Sequence, residues 1–266
     1  GTEKSSEKAT EAAKEEKADS GELRTYKLGV NGSDHEEWEK ANELLAKDNI
    51  KLEMVEFSDY VKPNEALEDG EIDLNAFQTE IYFNNFVKER GYTDLGVLAY
   101  TQVAPMGIYS SKYKRLDEAT GHLIIAIPND VTNGGRALKF LEKNGFLTLK
   151  KEAGLTPTVM DIEKYNKDVE IVEMVATQIP ASLPDLSFAC INNGVAKDAG
   201  LTLKNDAIVY EDYKEPDMKN YWNIIAAKKD RIESEDFQKI KKAYNSDEVK
   251  QVILEHYDGQ SIPVWD

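Results

Sequence analysis

The sequence predicts an α/β protein of parallel strands joined by helices, and three observations carry that expectation. From Thr25 onward, short β-rich runs alternate with amphipathic stretches. Gly91 and Gly145 stand where helix C-termini need a left-handed residue, and Pro63, Pro128 and Pro180 stand at element borders. With 266 residues the chain can fill two modest lobes or one large α/β domain without disulfides or metals.

The elements follow in order. Tyr26–Val30 reads as the first strand, with a turn at Asn31-Gly32. Ser33 and Glu36 have capping-box spacing, and Trp38, Ala41 and Leu45 then repeat at helical intervals to about Lys47. Further strands are expected at Lys51–Glu56, Ile72–Ala76, Leu98–Val103, Leu123–Ile127, Glu170–Val175, Ser187–Ile191 and Asn223–Ala227. Helices are expected at Glu80–Glu89, Gly134–Lys143, Ser234–Tyr244 and Asp247–Tyr257. Residues Gly1 to Leu23 differ in kind, being Lys, Glu, Ala, Ser and Thr without aromatics. Such a segment cannot offset its ordering entropy by burial and is expected to be a disordered tether.

Composition excludes several functions. A 41% hydrophobic and 31% charged chain is globular in type, and no run approaches the roughly 20 apolar residues of a membrane helix. A formal charge of −17 repels phosphate backbones. The clusters Lys112, Lys114, Arg115 and Lys228, Lys229, Arg231 are too short to reverse this, so nucleic acid is not expected as a partner. The single cysteine, Cys190, lies in an apolar run, which excludes an internal disulfide and points to a buried, inert thiol.

No enzyme pattern emerges. His35, His122 and His256 are scattered, without zinc spacing. Neither a Gly-x-Ser-x-Gly elbow nor a phosphate loop is present, and Gly29-Val30-Asn31-Gly32 lacks the third glycine of a dinucleotide turn. No cofactor or metal is expected.

Ile127 to Leu138 is more informative. A strand ends, a polar turn follows, and a helix begins with Gly134, Gly135 and Arg136. Free N–H groups and the positive end of the helix dipole favour an anion there, small residues permit close approach, and the Arg136 fork can hold a carboxylate through two parallel bonds. Arg136 could equally serve a structural ion pair, and its chemistry alone leaves both readings open. Asn192, after the run ending at Ile191, and Asn223, before Ile224-Ile225, offer amides suited to orienting an ammonium. Tyr60 and Phe77 lie near two further strand ends and can wall an apolar side chain.

The order of Phe57-Ser58-Asp59-Tyr60-Val61-Lys62-Pro63-Asn64, Asp73-Leu74-Asn75-Ala76-Phe77-Gln78, Pro105-Met106-Gly107-Ile108-Tyr109-Ser110, Ile127-Pro128-Asn129-Asp130, Thr132-Asn133, Gly135-Arg136-Ala137-Leu138 and Ser246-Asp247-Glu248-Val249 resembles the NlpA family of methionine-binding lipoproteins. The resemblance runs from about Tyr26 to Pro263. It implies a type II periplasmic-binding fold, two α/β lobes joined by crossing strands with the ligand between them. Residues 24–109 would begin lobe 1, 110–222 would form lobe 2, and 223–266 would return to lobe 1. It further implies a ligand side chain between the rings of Tyr60 and Phe77, a carboxylate on Arg136, and backbone groups held by Asn192 and Asn223.

The sequence departs from the family where the ligand side chain would lie. Thr79 replaces the usual histidine, Gln102-Val103-Ala104 replaces His-Ile-Glu, and Gly194-Val195 stands where an asparagine or threonine and then a tyrosine are common. The resemblance thus implies a solute-binding lipoprotein, not an enzyme. It would be lipid-anchored on the extracytoplasmic face of the membrane and deliver methionine or a related amino acid to an ABC permease and its ATPase. A methionine-containing dipeptide, another apolar amino acid, a sensor role and an α/β enzyme are the alternatives.

Overall fold

A computed structural model describes residues 21–266; residues 1–20 of the expected tether lie outside it. In chain order the first elements are β1 (Arg24–Asn31), α1 (Glu36–Leu45), β2 (Ile50–Phe57), α2 (Lys62–Glu68), β3 (Leu74–Thr79), α3 (Glu80–Arg90), β4 (Leu95–Tyr100), β5 (Gln102–Val103) and β6 (Gly107–Tyr109). There follow β7 (Leu123–Pro128), α4 (Val131–Lys143), β8 (Leu147–Leu149), β9 (Ile162–Tyr165), β10 (Val169–Met174), β11 (Phe188–Ile191), α5 (Asn193–Asp198) and β12 (Val209–Tyr210). The chain ends with β13 (Asn223–Lys228), α6 (Lys229–Ile232), α7 (Glu235–Tyr244), α8 (Asp247–His256) and β14 (Ile262–Pro263).

Two five-stranded sheets organise two lobes. The first has the order β2-β1-β3-β13-β4 and the second β10-β7-β11-β6-β12. The sheets are mixed, not wholly parallel. β1, β2 and β3 run parallel, as do β10, β7 and β11, whereas β13 and β6 run antiparallel to both their neighbours. Both antiparallel strands flank a crossing between the sheets, through β5 outward and after β12 on return. β6 pairs within the second sheet, so the expected boundary after Tyr109 falls one strand too late.

Each sheet is buried on both faces, which is why its strands read as near-continuous apolar runs. In the first, Leu28, Val30, Leu74 and Ile225 pack with Trp38 of α1 and Phe237 and Ile240 of α7, while Ile224 and Ala226 pack with Leu67 and Phe83 on the other face. In the second, Ile125 and Ile127 meet Leu138, Leu141 and Phe146, whereas Ala126 between them faces Ile179 and Ile191. Successive strand residues point to opposite faces. Fully burying one such side chain contributes about 1.5–3 kcal/mol. Cys190 is fully buried in this core, and burial pushes its thiol well up.

Local signals met mixed fates. Gly91 caps α3 at φ 68°, as its position predicts. Ser33 and Glu36 form no capping box, because α1 starts two residues later with His35 as N-cap, its ring against Gly32 O at 2.9 Å. Pro180 lies inside a 3-10 segment, Ala176–Asp185, rather than at a border. A 3-10 turn tolerates this because few of its N–H groups are needed in a regular ladder. Among the described residues no helix is long and apolar enough to cross a membrane.

Candidate functional site

A cleft of about 1190 Å³ opens between the two sheets, and all six expected residues, Tyr60, Phe77, Thr79, Arg136, Asn192 and Asn223, line it. Asn31, Phe57 and Thr79 end the parallel strands of one lobe, and Asn192 follows β11 of the other. Open α/β sheets place ligands at these carboxyl ends. Asn223 begins its strand, yet reaches the same edge because β13 runs antiparallel, pairing Asn223 with Thr79.

Arg136 is buried and already engaged. Its Nε lies 3.0 Å from Glu211 Oε1, its Nη2 lies 2.6 Å from the same oxygen, and Nη2 also donates to Ala104 O at 2.9 Å. The guanidinium stacks 4.2 Å over the Tyr221 ring, whose phenol is pushed up to about 12 by burial. The fork expected to grip a ligand therefore grips Glu211, and Nη1 alone has no partner among the described residues. The structural ion pair thus orients Arg136, which also lines the cleft.

The helix start beside it also differs from expectation. Asp130 caps α4, accepting from Asn133 N at 2.8 Å and from Thr132 Oγ1 at 2.9 Å, so a protein carboxylate already occupies the positive end of the dipole. A Cβ on Gly134 would lie 2.8 Å from Pro128 O, and one on Gly135 3.0 Å from Pro157 O. These glycines let α4 pack against its own lobe; neither lines the cleft.

The asparagines show a common orientation. Asn133 Nδ2 donates to Asp130 Oδ1 at 3.1 Å, which turns Asn133 Oδ1 toward Asn192 Nδ2 at 3.0 Å. A carboxylate can only accept, so this relay sets both amides. Asn192 Oδ1 is left buried without a partner among the described residues. Asn223 Nδ2 donates to Gln102 O at 3.1 Å, and its oxygen accepts no bond among the described residues. Both amides thus offer acceptors, which suits an ammonium.

Tyr60 and Phe77 stand 6.0 Å apart at 44°. That is direct ring contact, so they form one wall and not the two jaws implied by the family pattern. Tyr82 completes the wall, 6.0 Å from Tyr60 and 6.1 Å from Phe77, and donates to Tyr60 O at 2.6 Å. Burial pushes the Tyr60 phenol above its ordinary value; Asp130 and Asp198 add to the rise and Arg136 opposes it. Behind the wall, Asn64, Asn75 and Gln78 form a buried amide triad with bonds of 2.7–3.0 Å, pinning α2 to β3.

Thr79 is nearly buried, and its hydroxyl accepts from Tyr82 N at 3.2 Å, capping α3. The Gln102 amide is taken by Tyr244 OH at 2.7 Å, Glu37 Oε2 at 3.2 Å and the Ser261 hydroxyl. Tyr82, Glu211 and Tyr221 escaped the sequence reading, and Asn133 entered it only within a family motif, with no role. Tyr82 left a further signal, three residues beyond Thr79 at the start of α3.

The profile of the NlpA lipoprotein family matches residues 26–265. The chain is 40% identical over 243 residues to the D-methionine-binding lipoprotein MetQ of Escherichia coli K12, covering 90% of this chain and 88% of that protein. A nutrient binding protein from Burkholderia cenocepacia, solved bound to methionine, superposes with a TM-score of 0.84 at 35% identity, covering 90% of this chain and 100% of that one. The substrate binding protein of a methionine transporter from Streptococcus pneumoniae gives a TM-score of 0.84 at 38% identity over 91% of this chain and 96% of that one.

Proposed function

The chain belongs to the NlpA lipoprotein family, and on that premise we propose that it captures a free amino acid, methionine foremost, and delivers it to the permease and ATPase of an ABC importer. It is a binding protein and not an enzyme, in keeping with its relatives. One observation carries the choice of ligand. A single cleft is lined by a buried guanidinium whose Nη1 has no partner among the described residues, two asparagines whose amide nitrogens are already engaged, and a wall of three aromatic rings. These complement the carboxylate, ammonium and apolar side chain of a zwitterionic amino acid.

Arg136 anchors the carboxylate, Asn192 and Asn223 receive the ammonium, and Tyr60, Phe77, Tyr82 and Thr79 face the side chain. The cleft is larger than one amino acid, so the two lobes close over the ligand by rotation about the crossing strands. The related proteins named as lipoproteins support a lipid anchor on the extracytoplasmic face.

Thermal shift of ligand-stripped protein against the twenty amino acids tests the proposal. A ligand of the folded state raises stability with the logarithm of its concentration over Kd. Methionine is expected to give the largest rise. A rise with no amino acid up to millimolar concentration would refute it.

A further inference from the structure

The two lobes meet along one side of the cleft through side chains as well as through the crossing strands. Val195 and Ala196 of α5 pack with Ile191 and Leu203 and so belong to the second lobe, whereas Tyr257, which follows α8, packs with Trp38 in the first. Lys197 bridges them. Its Nζ lies 3.2 Å from Asp34 O, 3.9 Å from Asp34 Oδ2 and 3.4 Å from Tyr257 OH, and stands 4.7 Å from the centre of the Tyr257 ring. The corner that receives the lysine is electronegative and fixed. Asp34 Oδ1 is held by His256 Nε2 at 2.7 Å, and Tyr257 OH donates to Oε1 of Glu37, a buried carboxylate, at 2.7 Å. A phenol that gives its proton to a carboxylate keeps its lone pairs for the lysine, and the ring face attracts the same cation.

A second set of contacts runs beside the first. Asp258 stands at φ 48°, a left-handed conformation uncommon outside glycine, and Gly259 follows at φ 81°. The tight turn they form brings Gln260 N to Tyr257 O at 2.9 Å. Gln260 then accepts twice from the second lobe: its carbonyl from Asn193 Nδ2 at 3.3 Å and its Oε1 from Leu203 N at 2.7 Å. Lys204 adds an exposed ion pair to Asp258 at 3.0 Å, worth little in water. Gln260, Leu203 and Asp258 stand outside the cleft lining, so their bonds do not compete with a ligand.

We propose that Lys197 and Gln260 form a latch, which holds the lobes closed through contacts of protein with protein and so sets the rate at which a captured ligand leaves. This rests on the reading that the lobes close over a ligand. A ligand leaves through the open form, so contacts made only in the closed form slow release whatever the ligand itself touches. Closure is then an equilibrium that the chain biases by its own contacts, before any ligand adds to it.

Spin labels at Glu53→Cys and Glu173→Cys test this. Both positions are exposed on β2 and β10, the edge strands opposite those that carry the crossings, and the native Cys190 is buried. Pulsed electron resonance on ligand-free protein measures the distance between the lobes in the otherwise wild-type chain, in Lys197→Met and in Gln260→Ala. Each variant deletes hydrogen bonds between the lobes, so the ratio of open to closed distances is expected to rise about three- to tenfold. Release of L-methionine, followed by stopped-flow displacement, is expected to quicken by a similar factor. Identical distances, with release rates within about twofold, in the wild type and both variants would refute the latch and leave the proposed function standing. Failure of the wild type to bind L-methionine would overturn the proposed function instead, and the ligand-free distances would still decide the latch.

Discussion

Arg136→Ala removes a structural partner and a ligand anchor together, and the geometry allows the two to be separated. The side chains of Arg136 and Glu211 are 5% and 11% exposed and meet at 2.6 Å. Without the guanidinium, Glu211 keeps only Met106 N, at 2.7 Å. Breaking one side of a buried pair costs about 3–5 kcal/mol. At about 2–4 °C per kcal/mol for a chain of this size, Tm falls by roughly 6–20 °C. Losing the carboxylate anchor costs about 2–5 kcal/mol of binding, roughly 30-fold to several-thousandfold in affinity. The discriminating variant is Arg136→Met with Glu211→Gln, which removes both charges while the new amide oxygen still accepts from Met106 N. Uncharged replacements of buried pairs are often neutral or stabilising, so thermal denaturation should return to within a few degrees of wild type. Calorimetry should still find methionine binding lost. A double variant that binds within about twofold of wild type would show that Arg136 only braces the fold.

Three further outcomes follow from the same contacts. Asn64→Ala leaves Gln78 Oε1 without its donor and Asn75 Nδ2 with only Pro63 O; urea denaturation should show a loss of about 2–4 kcal/mol at unchanged slope, and a loss below about 0.5 kcal/mol would refute the triad's role. Thr79→His sacrifices the α3 cap, costing about 1 kcal/mol, yet should raise methionine affinity relative to leucine and glycyl-methionine by narrowing the cleft; unchanged ratios in competitive titration would remove Thr79 from specificity. Because the folded state raises the Asp198 carboxyl, its favourable proton binding is complete below the unfolded value of about 3.9 and is lost as pH rises through the folded value. Asp198→Asn should therefore raise Tm at pH 7 by an amount that vanishes as pH falls below that range, and a pH-independent difference would contradict the shift.

Periodicity made the strands and long helices legible because both faces of each sheet are buried, so that Leu123–Pro128 and Asn223–Lys228 announce themselves as apolar runs. It said nothing of direction: β13 and β6 run antiparallel because the chain re-enters each sheet across the cleft, a long-range fact with no local mark. The place of the expected residues at the cleft was legible because Thr79 ends β3, Asn192 follows β11 and Asn223 begins β13. Their states were not. Gly134-Gly135-Arg136 looks like an anion cradle, but Asp130 caps the helix start, the glycines pack against Pro128 and Pro157, and Arg136 is held by Glu211, 75 residues away. The orientation of the Asn192 amide likewise depends on Asn133 and Asp130, 59 positions and more distant.

The central claim, that this cleft holds one zwitterionic amino acid between Arg136 and the asparagines Asn192 and Asn223, is tested most directly by titrating unfolded, dialysed and refolded protein with L-methionine in a calorimeter. One site per chain is expected, with the heat abolished in the stable Arg136→Met, Glu211→Gln variant. No heat from wild type at millimolar methionine, or equal heat from both proteins, would contradict it.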